Sequence, residues 1–205
     1  TNPNNPTGTW LKKDELIAFL NKVPAHVLVL LNEAYFEYVQ EAEYPDGIQL
    51  LPQFPNLIIA RTFSKAYGLA ALRVGYSVSS PELADLMNRV RPPFNVNSVA
   101  LAAATAALSD DEYVARSVAE NTAGMQQMTQ AFAAMNLSYI PSVGNFIAFK
   151  VPAGVNAMDV YKQLLAKGVI VRPVANYEMP EYLRVSIGTA AENAAFINAL
   201  QAVLS

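Results

Sequence analysis

Two strand-like stretches constrain this chain more than anything else in it: the uninterrupted apolar run VLVLL at residues 27–31, and NLIIART at 56–62. A strand with one wet face alternates apolar and polar residues. A short run without alternation is expected to be a strand buried on both faces, as in sheets that carry parallel pairs. A third run, LRVGYSVS at 72–79, follows within one loop length. None of the three approaches the ~18–20 apolar residues that cross a bilayer, so no membrane partner is expected. Helical patterns separate these strands, and the expected class is α/β.

Composition narrows the partners. The 205 residues carry a formal net charge of −3 with no like-charge run, which disfavours nucleic acid. There is no cysteine, which excludes disulfides, Cys-ligated zinc and thiol nucleophiles. The single histidine, His26, excludes a His-rich metal site and is expected at a strand edge or on the surface. Charged residues make up only 15%, against about 25% in an ordinary soluble domain. That deficit suggests a surface covered by a missing segment, a partner subunit or both. The opening TNPNNPTGTW has no initiator methionine and no secretory leader, so a cytoplasmic protein met as a fragment is the expectation.

Along the chain, NPNNPTG is turn chemistry and KKDELIAFLNKV is helical with acids near its start. EAEYPDGIQLLPQFP reads as a loop with a short helical piece. SPELADLMNRVR opens with Ser80 as N-cap and Pro81 at the first helical position. RPPFNVNS ends that helix, and a long Ala-rich helical stretch follows, interrupted near Ser109. The rhythm then shortens into strand NFIAFKV, helix AMDVYKQLLAKG, strands VIVRPV and YLRVSI, and helix AAENAAFINALQAVLS. Two units are expected, 1–109 and 110–205, with the boundary anywhere in 95–130. The second is a smaller α/β unit with an at least partly antiparallel sheet.

Lys65 stands just past the C-terminal end of the second run, the edge of an open α/β sheet where ligands bind. Thr62, Ser64 and Arg73 bring hydroxyls and a guanidinium fork suited to a phosphate. A lysine whose pKa is lowered by a neighbouring cation can attack a carbonyl. A lysine beside a phosphate cradle suits an aldehyde-phosphate cofactor such as pyridoxal phosphate. On these residues alone, a solvated loop lysine is the better reading. No G-x-G-x-x-G follows a strand, which disfavours a dinucleotide oxidoreductase.

Read together, NPNNPTG, NEAYFEY, TFSKAYGLAALRVGY, RPPFNVNS and YLRVSIGT occur in an order that resembles the fold-type I pyridoxal-phosphate aminotransferases, most closely the histidinol-phosphate aminotransferases. The resemblance spans the whole chain. It implies part of the large mixed-sheet cofactor domain followed by a small C-terminal α/β domain. It also implies a homodimer in which much of the family's N-terminal half, including the ring that stacks on the cofactor, is absent here. The implied reaction moves an amino group from a small-molecule donor, histidinol phosphate, to the 2-oxo acid 2-oxoglutarate in histidine biosynthesis. An aromatic-amino-acid aminotransferase, a threonine-phosphate-type decarboxylase, and a non-catalytic cofactor-binding module stay open beside it.

The resemblance assigns roles position by position. Lys65 matches the Schiff-base lysine and proton shuttle; Thr62, Ser64 and Arg73 match the phosphate cradle. Asn5 and Tyr35 match the residues that hold the cofactor's ring hydroxyl. Arg184 matches the arginine that grips the substrate's carboxylate or phosphate, and Arg172 is a further candidate for the substrate phosphate. Taken singly, Asn5 reads as a turn residue, Tyr35 as a core aromatic and Arg184 as a snorkelling or ion-paired side chain. Two departures stand out. Asn32 occupies the place of the aspartate that pairs with the pyridine nitrogen, which implies weaker cofactor binding and slower proton transfer. Ala71 replaces a frequent glycine and crowds the loop only if its φ is positive. Alone, the chain is expected to lack a complete site and to be insoluble or partly unfolded.

Overall fold

The computed structural model describes residues 1–205, which form two units: Thr1–Pro3 with Trp10–Ser117, and Asn4–Thr9 with Val118–Ser205. The division at Ser117/Val118 falls inside a helix, and the short segment Asn4–Thr9 groups with the second unit.

The first unit begins with α1 (Lys13–Leu20), whose Leu16 and Leu20 lie one turn apart and are both buried. Asp14 and Glu15 occupy its first turn, where the helix dipole favours acids, and Glu15 accepts the Lys12 N–H at 2.8 Å. Strands β1 (Val29–Asn32), β2 (Leu57–Thr62) and β3 (Gly75–Ser79) form a mixed sheet in that order. β1 runs parallel to β2, with Leu31 opposite Ile59; β3 is antiparallel to β2, with Ser77 opposite Ala60. One face packs Leu31, Leu57 and Ile59 against Leu16, Leu20, Leu50 and Phe54. Fully burying each such side chain contributes about 1.5–3 kcal/mol. The β1–β2 connection carries 3-10 turns at Phe36–Tyr38 and Gly47–Leu50. Helices α2 (Pro81–Val90) and α3 (Ser98–Ala107) follow. Ser80 caps α2 by accepting the Leu83 N–H at 3.3 Å, with Pro81 in the first turn as the sequence indicates.

Burial on both faces, expected for residues 27–31, does not hold. Leu31 is buried, but Leu28 and Leu30 are 57% and 62% exposed. β1 is an edge strand, and its second face has no covering layer within the unit. Within this sheet only the central β2 carries three consecutive buried residues, Leu57 to Ile59. Val90, Phe94 and Val99 are further large apolar side chains left exposed.

Helix α4 (Asp111–Ala134) begins after a break at 108–110 and carries the chain from the first set of residues into the second. The second unit holds β4 (Tyr139–Ile140), β5 (Phe146–Lys150), α5 (Ala157–Ala166), β6 (Arg172–Pro173), β7 (Tyr182–Ser186) and α6 (Ala190–Leu204). Its sheet, β4-β5-β7-β6, is antiparallel throughout. Phe132, Phe149 and Phe196 meet at its centre, with ring centroids 5.0–6.2 Å apart. Thr189 and Glu192 close a reciprocal capping box at the start of α6. No helix is long and apolar enough to cross a membrane.

Candidate active site

In the first unit the candidate residues gather where β1 and β2 end. After Thr62 the chain enters a tight loop held by three backbone bonds: Phe63 N–H to Val74 O, Leu69 N–H to Phe63 O and Gly68 N–H to Lys65 O, at 3.2, 2.9 and 2.9 Å. Buried Phe63 and Ala66 anchor it from below, and Phe63 packs on Tyr67 and Tyr76. Between these anchors Lys65 is half-buried, its Nζ 5.4 Å from the ring centroid of Tyr35. Gly68 has φ +72, which favours glycine, and a Cβ there would lie 2.4 Å from the Tyr113 hydroxyl, so that side chain would have to shift.

The phosphate-cradle candidates lie along the same loop. Thr62 Oγ1 accepts the Ser64 N–H at 3.1 Å. Ser64 Oγ accepts Arg73 Nη1 at 3.4 Å, and Ala70 O accepts the same nitrogen at 3.0 Å. Because both hydroxyl oxygens act as acceptors, each can turn its own O–H outward as a donor. Arg73 adds a permanent positive charge from a left-handed residue with φ 55. Hydroxyl donors with a guanidinium match the chemistry of a phosphate dianion, so this donor set fits the cofactor implied by the sequence. Ala71 is exposed in a 3-10 turn and is not among the positive-φ residues, so its methyl is accommodated.

At the end of β1, Asn32 is exposed and its Oδ1 accepts the Ala34 N–H at 3.0 Å. This turn leads to Tyr35, which is 6% exposed. Beneath it lies a charge cluster that the sequence reading did not single out. Glu33 is fully buried and accepts Arg61 Nε at 3.0 Å, Arg61 Nη2 at 2.8 Å and the Gly47 N–H at 2.9 Å. Arg61 also donates to Asp46 at 2.6 Å and lies 3.5 Å over the Phe36 ring. Burial pushes the Glu33 carboxyl above the ordinary carboxylate range, and Arg61 and the Gly47 amide pull against it. Burial likewise opposes the Arg61 charge, but the Glu33 and Asp46 carboxylates outweigh it and raise the Arg61 pKa. The available signal was an acid and an arginine set among apolar strand residues, each in need of a partner.

The second unit brings together the remaining candidates. Asn5 sits in a loop closed by Gly8 N–H to Asn4 O and Asn4 N–H to Thr9 O, at 2.8 and 2.7 Å. The loop is seated on Ser142, where a Cβ at Gly8 would fall 2.0 Å from the hydroxyl. Arg184, on β7, donates through Nη1 to Asn5 Oδ1, and its Nε is buried without a hydrogen-bond partner. That orphaned donor beside a fixed guanidinium fits a carboxylate or phosphate oxygen. Arg172 is exposed on β6, directly opposite Arg184 in the strand register. In the first unit, Asn97 caps α3 by accepting the Ala100 N–H at 2.8 Å.

Residues 1–200 match the model of the family "Aminotransferase class I and II". The chain is 60% identical over 203 residues to histidinol-phosphate aminotransferase 1 of Nitrosococcus oceani, covering 99% of this chain and 54% of that protein. It is 62% identical over 203 residues to the histidinol-phosphate aminotransferase of Methylobacillus flagellatus, with the same coverage. Among solved structures it is similar to the histidinol-phosphate aminotransferase of Sinorhizobium meliloti in complex with pyridoxal-5'-phosphate. There the TM-score is 0.90 at 33% identity, over 99% of this chain and 56% of that one. The chain thus spans about half the length of the curated relatives it matches.

Proposed function

Since the chain belongs to the class I and II aminotransferases, we propose that it is the C-terminal part of a pyridoxal-phosphate-dependent histidinol-phosphate aminotransferase. It works with the remaining length that its relatives carry, and as a homodimer in the cytoplasm. The exposed apolar side chains Leu28, Leu30, Val90, Phe94 and Val99 are the surfaces those partners cover. The amino donor is histidinol phosphate and the acceptor 2-oxoglutarate.

The observation that supports this reading is the loop after β2, which carries Thr62, Ser64 and Lys65 in sequence and in which Arg73 donates to Ser64 Oγ. Bound there, the cofactor would supply a ring that stores the electron pair left when the substrate's α-proton departs. The chain's own residues supply the rest. Thr62, Ser64 and Arg73 hold the anionic tail. Lys65 Nζ would hold the cofactor at its carbonyl carbon and, once released, would move the proton. Tyr35 and Asn5 would each offer a hydrogen-bond donor to the ring hydroxyl. Arg184, held by Asn5 and with one N–H unsatisfied, binds the substrate's acidic end, with Arg172 supporting the phosphate. Asn32 can donate to the ring nitrogen but brings no negative charge, which makes this the weakest step.

The test is a half-reaction. The loaded enzyme is mixed with histidinol phosphate, with phenylalanine or with threonine phosphate, and its visible band is followed. Loss of the band with histidinol phosphate at much lower concentration than with phenylalanine supports the assignment. Preference for phenylalanine indicates the aromatic enzyme. Carbon dioxide release from threonine phosphate indicates the decarboxylase, and no response to any donor indicates a non-catalytic module.

A further inference from the structure

We propose that Glu33 and Arg61 are positioning residues for the candidate active site: their buried pair locks the end of β1 to the end of β2 and so sets the spacing between Asn32 and Thr62. The inference rests on the proposed function, since it assigns Asn32 and Thr62 to opposite ends of the cofactor.

The geometry points this way for three reasons. First, position: Glu33 directly follows Asn32, and Arg61 directly precedes Thr62. Register places Asn32 opposite Ala60, so Glu33 meets Arg61 one step further along. Side chains alternate across a strand, so the pair occupies the face opposite that of Asn32 and Thr62 and acts on them through the backbone. Second, completeness: one Glu33 oxygen takes both Arg61 nitrogens and the other takes the Gly47 N–H. Arg61 is fixed further by Asp46 and by the Phe36 ring. The Glu33 backbone joins in, donating to Ala60 O at 2.8 Å and accepting the Phe36 N–H at 3.0 Å. A planar fork held at several points fixes direction as well as distance, which a lysine cannot do. Third, energetics: the side chains are 9% and 0% exposed, and a buried ion pair is often no more stabilising than an apolar pair of similar volume. Stability alone is therefore a weak reason for two charges here, whereas geometry at the strand ends is a sufficient one.

The test uses the complete enzyme with Glu33→Gln and Arg61→Lys, and Leu16→Ala as a control that weakens the same unit's core. Three readouts are taken. They are amide exchange at Ala34 and Gly47 in cofactor-free protein, pyridoxal phosphate affinity by equilibrium dialysis, and the pH midpoint of the bound cofactor's visible band. Glu33→Gln is expected to speed exchange at both amides, to weaken affinity about tenfold and to move the midpoint. Arg61→Lys, which keeps the charge and loses the fork, is expected to act in the same direction; it carries the test if Glu33→Gln does not fold. Leu16→Ala is expected to lower the melting temperature while leaving affinity and midpoint within about twofold. Variants of the pair that behave as Leu16→Ala does, losing melting temperature alone, would overturn the proposal. Failure of the unsubstituted enzyme to take up the cofactor would instead sink the functional reading, and the positioning role with it.

Discussion

Arg184 and Asn5, 179 positions apart, are joined by a hydrogen bond from the arginine Nη1 to the asparagine Oδ1. The bond fixes which end of the Asn5 amide faces the arginine and directs the other end, which carries only donors, away from it. It also holds the guanidinium while Nε stays buried and unsatisfied. In the proposed reading, the arginine that would bind the substrate anion and the asparagine that would hold the ring hydroxyl are linked through this one contact.

Arg184→Lys replaces the fork with a point charge. A hydrogen bond to a charged group contributes about 1.5–3 kcal/mol, so kcat/KM for histidinol phosphate is expected to fall about 10- to 100-fold. The loss should appear mainly in KM, as measured by steady-state kinetics. An unchanged KM would remove Arg184 from the substrate site.

Asn32→Asp restores a carboxylate at the end of β1. Asparagine already accepts the Ala34 N–H there, and aspartate can make the same bond, so the turn should persist. The added charge stabilises a protonated ring nitrogen, and the half-reaction is expected to accelerate on the order of tenfold or more, with tighter cofactor binding. Equal rates for the two proteins in stopped-flow absorbance would show that the electron sink does not depend on this charge.

Gly68→Ala meets two penalties, a left-handed backbone at φ +72 and the Tyr113 hydroxyl. The conformational part alone costs about 1–2 kcal/mol. Thermal unfolding should show a drop in stability, with a shift in the Lys65 loop. Adding Tyr113→Ala is expected to recover the steric part and leave the conformational part.

Glu37 gives a dependence on pH. Its Oε2 is buried without a partner, and burial raises its pKa above the ordinary 4.5. The folded state therefore holds this proton more tightly than the unfolded chain does. The resulting stability is complete below the unfolded value and lost as pH rises through the higher folded value. Glu37→Gln should stabilise the protein at pH 7 by about 1 kcal/mol, and the advantage should close below about pH 4.5. Chemical denaturation at several pH values measures both.

Local chemistry was legible in the sequence wherever one residue type answers one backbone need. Ser80 and Pro81 announced α2, and the break near Ser109 separates α3 from α4. Residues 27–31 misled because an apolar run reports what a strand can bury, not what lies over it; Leu28 and Leu30 face outward at an edge. β4, only two residues long, is held by its pairing with β5 and leaves no periodicity to read. At the site, Lys65 and its hydroxyl neighbours were visible as a short motif. The Glu33–Arg61 pair was not, because its partners are 28 residues apart and meet only through the parallel register of β1 and β2.

The most direct measurement concerns Lys65 itself. The complete enzyme is loaded with pyridoxal phosphate, reduced with borohydride, digested and mapped by mass spectrometry. A phosphopyridoxyl group on the peptide containing Ser64, Lys65 and Ala66, absent from Lys65→Ala, is the expected result. A label on another lysine, or none on a protein that melts cooperatively, would contradict the assignment of this amine and of the cradle built around it.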